Sequence, residues 1–305
     1  MTYSRSVLTA LTLLWVLPAG HSVPNAHAWS LDQIPAGNAM AVLETGSESA
    51  PGGLPDGGVD RAEAGDIRAA WYVAPTDRYR HGILGDAIEA SGLTIRTADG
   101  AEITMRLPET EVFEDRTPRL IDLDRDGRME VVTIRASLQA GASVTIYSLR
   151  GGVLRQLAST PFIGIPNRWL NIAGIADFAG LGTRQIAYVE TPHIGGTLVF
   201  YAYLDGELRR LASLRGFSNH AIGAREMGLS ATADLDGDGL PDLLLPTDSR
   251  RTLMVVGFQK RTLSEQASID LPAPLETDIA TRDTPRGLSF VFGLADGRFY
   301  QLTPP

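Results

Sequence analysis

The sequence predicts an all-β fold, and within that class a β-propeller of four-stranded blades. Three observations carry this. From about Ile67 onward, short apolar runs alternate with turn signals, and no window sustains helical periodicity over three turns. A hairpin-like phrase recurs as LTIRTADGAEITMRL (93–107), VTIYSLRGGVLRQL (144–157), LVFYAYLDGELRRL (198–211), LMVVGFQKRTL (253–263) and LSFVFGLADGRFYQL (288–302). Asp122, Asp177 and Asp234 each end a short apolar stretch and keep the same beat, at separations of 55 and 57 residues.

Each unit reads as an apolar strand ending in Asp, a loop, a second strand such as MEVVTIR or RQIAYVE, and then the hairpin. Four short strands in ~40–50 residues is the pattern of a propeller blade, whereas a β-sandwich carries no such period. In three of the five hairpins the turn is Asp-Gly, which suits a tight reversal because Gly tolerates positive φ. The closing leucines, Leu107, Leu157, Leu211, Leu263 and Leu302, lie 50, 54, 52 and 39 residues apart, so the fifth unit reads as truncated. About five units are recognisable, and six or seven blades stay open. Ring closure is expected to borrow an N-terminal strand near Asn38 to Glu44.

The repeats divide the chain into residues 67–305, read as the propeller domain, and a preceding stretch, 29–66, read as a flexible leader. Residues 46–65 are rich in Gly, Pro and acid with few large apolar groups. Before them, Arg5 precedes an apolar run from Val7 to Leu17, and Ala26-His27-Ala28 follows as a small-x-small cleavage site. Residues 1–28 are therefore expected to be a signal peptide cut after Ala28, placing the chain in the periplasm or outside the cell. The run is too short for the ~20 apolar residues of a membrane span, and none is expected elsewhere.

The 305 residues contain no cysteine, so disulfide staples are excluded despite the expected export. Without residues 1–28 the chain carries 26 basic against 36 acidic residues, a formal balance of −10. Nucleic acid and anionic lipid are not expected partners for such a charge.

Much of the acid is concentrated in two loops, DLDRDGRME (122–130) and DLDGDGLPD (234–242). Carboxylates at alternate positions of a tight loop converge, which is repulsive without a cation. Calcium accepts six to eight hard oxygen ligands in this geometry, and magnesium demands a tighter octahedron. The expected ligands are Asp122, Asp124, Asp126, the Arg128 carbonyl and Glu130 in one loop. In the other they are Asp234, Asp236, Asp238, the Leu240 carbonyl and Asp242. Gly127 and Gly239 supply the sharp turns. An EF-hand is excluded, because its twelfth position is Thr133 or Leu245 and strand-like sequence follows. A third copy, DFAGLGTRQ (177–185), keeps Gly182 but has Ala179, Leu181 and Gln185 where ligands belong, and no metal is expected there.

On these loops the chain resembles the FG-GAP or VCBS repeat family, β-propellers with D-x-D-x-D-G-x-x-D/E calcium loops between the first two strands of a blade, as in integrin α-subunit heads. The resemblance covers roughly residues 67–303 and is strongest over 117–260. It implies a propeller and two calcium ions, and leaves activity open, since members range from adhesion modules to sugar-cleaving enzymes.

If the metal loops occupy one face, the loops between units and those joining second to third strands occupy the other. That second face collects Asn167, Arg168, Trp169, His193, Asn219, His220 and Arg225, with Tyr79, Arg80 and His81 expected beside them. Arg168 and Arg225 each stand nine residues before the Asp of their loop. Arg and Trp suit a carboxylate-bearing or sugar ligand, while Asn and Arg at unit junctions also serve as structural hydrogen bonders and Trp169 as a wedge. No nucleophile elbow, phosphate loop or H-E-x-x-H motif is present. The leading expectation is a non-enzymatic binding module for a protein or glycan. The alternative, a carbohydrate-active enzyme of hydrolase or lyase type, predicts a channel holding two carboxylates that are not metal ligands.

Overall fold

The computed structural model describes residues 29–44, 48–285 and 287–305; the expected signal peptide lies outside them. In chain order the elements are β1 (Ser30–Ile34), α1 (Ala36–Leu43), β2 (Val59–Arg61), β3 (Ile67–Thr76), β4 (Glu89–Thr97), β5 (Glu102–Arg106) and β6 (Glu111–Phe113). Then come β7 (Arg119–Ile121), β8 (Glu130–Ser137), β9 (Gly141–Arg150), β10 (Val153–Ser159), β11 (Leu170–Ala176), β12 (Gln185–Glu190), β13 (Thr197–Leu204) and β14 (Glu207–Arg215). The last are β15 (Ala231–Ala233), β16 (Asp242–Pro246), β17 (Thr252–Gln259), β18 (Thr262–Asp270), β19 (Ala280–Thr284), β20 (Gly287–Gly293) and β21 (Phe299–Thr303).

Every strand pair is antiparallel, and the strands form four-stranded groups. Strands β11 to β14 and β15 to β18 are consecutive meanders. A nine-stranded sheet joins two more, β2 to β5 and β7 to β10, through β6, which pairs with both β4 and β8. The fifth group runs β19-β20-β21-β1, so a strand from the start of the chain completes the last sheet.

The recurring phrase forms the third and fourth strands of the first four groups. In the fifth it forms β20 and β21, the second and third, which explains its early arrival. The Asp205-Gly206 turn has positive φ at both residues, 53° and 83°, the mirror-type reversal that matches strand twist. Middle strands are buried along nearly their whole length, as in β8 and β12, because neighbouring sheets cover both faces. Outer strands alternate, as in β14.

Two expectations are corrected. Residues 36–43, which overlap the stretch Asn38 to Glu44 expected to supply a closing strand, form α1; its run of Ala, Met, Val and Leu is short enough to serve either structure, and Pro35 starts the helix in its N-cap. The N-terminal strand that completes the last sheet is instead β1. Nor is 29–66 a structureless leader: besides β1, α1 and β2, Leu54 is buried and the Trp71 indole donates to the Pro51 carbonyl at 3.2 Å. Among the described residues no helix is long and apolar enough to cross a membrane.

Candidate functional site

The two acidic loops fold alike. Asp122 Oδ2 accepts from Gly127 N–H at 3.1 Å, Asp124 Oδ1 from Asp126 N–H at 3.2 Å, and Glu130 Oε2 from Leu123 N–H at 3.0 Å. In the second loop Asp234 Oδ2 accepts from Gly239 N–H, Asp236 Oδ1 from Asp238 N–H, and Asp242 Oδ2 from Leu235 N–H. Both loops take two left-handed residues, Arg125 with Gly127 and Gly237 with Gly239.

This winding brings ligand atoms of Asp122, Asp124 and Glu130, and likewise of Asp234, Asp236 and Asp242, within 4.8 Å of one another. Asp126 and Asp238 are not among the converging groups; each accepts from the N–H two residues on, of Arg128 or Leu240, at 2.8 Å. Asp122 Oδ1 and Glu130 Oε1 are buried without a hydrogen-bond partner. Burial first, and then the neighbouring aspartates, push Glu130 up to about 7 and Asp242 up to about 6. Orphaned acceptors among like charges fit a cation, and the clusters can hold a metal ion.

The third loop has a different solution. Gln185 Oε1 accepts from Ala179 N–H at 2.8 Å, and its Nε2 donates to Asp177 Oδ1 at 3.3 Å, so an amide stands where a carboxylate and cation would be.

At the other ends of the strands, loops from several groups meet. Residues 77–88, between β3 and β4, bring Tyr79 and His81. Residues 160–169 bring Asn167, Arg168 and Trp169, and 191–196 bring His193. Residues 216–230 bring His220 and Arg225. The Trp169 indole is only 2% exposed; it donates to the Glu114 carbonyl at 2.9 Å and stacks on His193 at 6.1 Å and 6°. It acts as a wedge packed against His193 and His220.

Two cavities share this region. One of about 110 Å³ is lined by His81, Arg168, Trp169, His193, Ile194 and Ile222 among others. The second, about 660 Å³, also touches His193 and Ile222 and adds His220, Asp248 and Arg250. Neither Arg168 nor Arg250 forms an ion pair with a carboxylate among the described residues; each donates to a backbone carbonyl, of Asn167 and Leu275.

Behind the smaller cavity His81 Nδ1 lies 2.5 Å from Glu114 Oε1. Glu114 is fully buried, which holds its carboxyl well above the usual range. Glu89, 2% exposed, is pushed up to about 9 by burial and then by Glu114. His81 is lowered, by burial and then by Arg168. The raised acid and the lowered base favour a neutral pair, in which a Glu114 carboxyl proton would be shared toward His81 Nδ1.

Of the sequence-derived face residues, Asn167, Arg168, Trp169, His193 and His220 line or wall these cavities, while two do not. Asn219 is fully buried and exchanges amide-to-carbonyl bonds with Asn171 at 3.1 and 3.2 Å across a group junction. Arg225 instead pairs with Asp56 and Asp86, at 3.4 and 3.7 Å, and β15 starts at Ala231, later after Arg225 than β11 starts after Arg168. Glu89, Glu114 and Arg250 were not expected; Arg250 lies in a loop equivalent to that of His193, and that equivalence was the available signal.

No protein-family model and no curated protein matches the sequence. Solved structures similar to it include the rhamnogalacturonan lyase YesW, 17% identical with a TM-score of 0.42, covering 82% of this chain and 60% of that one. The exotype rhamnogalacturonan lyase YesX is 14% identical with a TM-score of 0.43, covering 81% of this chain and 56% of that one. The chain thus spans 60% or less of those proteins' lengths.

Proposed function

We propose that this chain is an exported five-bladed β-propeller of the FG-GAP or VCBS kind, stabilised by two calcium ions, that cleaves a carboxylate-bearing polysaccharide by elimination. The ring is supported by five antiparallel groups, the last closed by β1 on β21. Calcium is preferred over magnesium because three carboxylates and turn carbonyls offer a flexible, oxygen-only shell.

The observation that carries the activity is the His81–Glu114 pair behind a cavity that also holds Arg168. Glu114 and Glu89 are two carboxylates outside the metal clusters, but at 0% and 2% exposure they cannot flank a sugar. That disfavours hydrolysis by a carboxylate pair and favours chemistry through the imidazoles. Arg168 and Arg250 would neutralise a uronate carboxylate and so acidify the adjoining C–H. As that proton leaves, its electron pair forms a C=C bond and the C–O bond to the next sugar breaks. The leaving oxygen takes the His81 Nε2 proton, which Glu114 replaces at Nδ1.

Binding without cleavage is the second reading, favoured by Ile194 and Ile222, which stand 61% and 73% exposed on the rim and suit a partner's apolar side chains. Incubation with uronate-containing and neutral polysaccharides, a rhamnogalacturonan among them, separates the two. Elimination gives an ultraviolet-absorbing unsaturated product, reduced about 10²–10⁴-fold by His81→Gln or Glu114→Gln. New reducing ends without absorbance would mean hydrolysis, retention without cleavage the binding module, and neither retention nor cleavage would end the glycan reading.

A further inference from the structure

The elimination reading leaves one group unassigned, the acceptor of the C–H proton, and the hydrogen bonds around His220 identify it. His220 Nε2 lies 3.2 Å from the Ala224 carbonyl. A carbonyl only accepts, so that nitrogen carries the His220 ring proton, and His220 Nδ1 is a lone pair. His193 Nε2 lies 3.0 Å from that lone pair. Two lone pairs at this distance would repel, so His193 Nε2 must be the N–H that donates, and the lone pair of His193 is left on Nδ1.

We propose that His193 is the proton acceptor of this site, held in its Nδ1-lone-pair tautomer by a relay in which the Ala224 carbonyl orients His220 and His220 orients His193. The role rests on the elimination reading, whereas the tautomer stands on geometry alone. It goes beyond that reading in assigning a second imidazole and a positioning residue, His220, that touches no substrate in this scheme.

Several features agree. His220 is 1% exposed and its ring sits edge-on to Trp169 at 4.7 Å, while Trp169 lies flat against His193, so neither imidazole can turn freely. His193 Nδ1 makes no side-chain hydrogen bond among the described residues, and the ring borders both cavities. Burial, followed by the nearby His81 and Arg250, pushes His193 down to about 4, so it is unprotonated at neutral pH. A contact of the His193 ring with the His220 carbonyl acts in the opposite sense. The proton count also closes. When His193 takes the C–H proton on Nδ1 and Glu114 passes its own to His81, the site holds one imidazolium and one carboxylate, with no net change in charge.

The test reads the tautomers directly, in the full chain labelled with 15N-histidine, from the long-range couplings of ring nitrogens to ring protons at neutral pH. His193→Gln and His220→Gln assign the signals. The expected result is Nε2–H for both His193 and His220, and a His193 Nδ1 resonance that moves when galacturonate is added. In His220→Phe the chain should keep galacturonate binding while His193 becomes a tautomer mixture, and any cleavage should lose kcat about 10–100-fold with KM little changed. A His193 held as Nδ1–H, or an Nδ1 resonance unmoved by saturating galacturonate, overturns the proposal. Absence of cleavage with the expected tautomers and the expected shift would count against elimination alone.

Discussion

Gln185 donates its amide to Asp177 Oδ1 at 3.3 Å, and so occupies in the third loop the place that Glu130 and Asp242 hold in the other two. The same backbone frame is satisfied by an internal donor in one unit and left with converging carboxylates in two. Replacing Gln185 by Glu removes the donor to Asp177 and to the Thr183 carbonyl and sets a second charge beside Asp177. Gln185 is fully buried, so Gln185→Glu is expected to cost about 1–3 kcal/mol. Millimolar calcium should not restore it, since the loop offers only two carboxylates. Thermal melts with and without chelator check this, and an unchanged melting temperature would contradict it.

Gly257 supports the second loop from across the sheet. A Cβ at this position would lie 1.8 Å from Asp242 Oδ1 and 2.5 Å from Gln266 Nε2. Gly257→Ala must therefore displace Asp242, and is expected to weaken calcium binding at the second loop while sparing the first. Overpacking of this kind costs about 1–3 kcal/mol. Calorimetric titration should find one calcium site where the parent is expected to show two; two unchanged sites would show that Asp242 is not a ligand.

The pH dependence of stability has two opposed parts. His193 and His220, pushed by burial to about 4 and about 3, bind protons less readily folded than unfolded, so their contribution is complete above about 6.5 and is lost as pH falls. Glu89, raised to about 9 by burial and Glu114, binds its proton more readily folded, so its contribution is complete below about 4.3 and is lost as pH rises toward 9. Glu89→Gln should gain stability over the parent progressively from pH 5 to pH 9. His220→Gln should flatten the loss between pH 6.5 and pH 4. Denaturant midpoints across that range check both signs.

What could be read in the sequence was whatever repeats. The hairpin phrase and the acidic loops recur with local, self-contained geometry, so the four-stranded groups and the convergence of Asp122, Asp124 and Glu130, and of Asp234, Asp236 and Asp242, were legible. The strand that completes the last group was not, because β1 is a single strand, SLDQI, whose identity depends on β21, 265 or more residues away. The other face was legible only as a set of loops. Which of its side chains face a cavity depends on contacts between groups, and these send Arg225 to Asp56 and bury Asn219 against Asn171 while leaving Arg168 and His193 open. Glu114 stood in a junction loop without a motif, and its importance comes from burial against His81.

Divalent calcium is expected to hold the two carboxylate clusters, and isothermal titration of the chelator-stripped chain measures this. Two calcium sites are expected, with dissociation constants of about 10⁻⁴–10⁻³ M, and millimolar calcium should stabilise the fold by about 1 kcal/mol per site. Asp236→Ala should leave one. No calcium heat, together with a melting temperature that neither chelator nor calcium moves, would contradict the account.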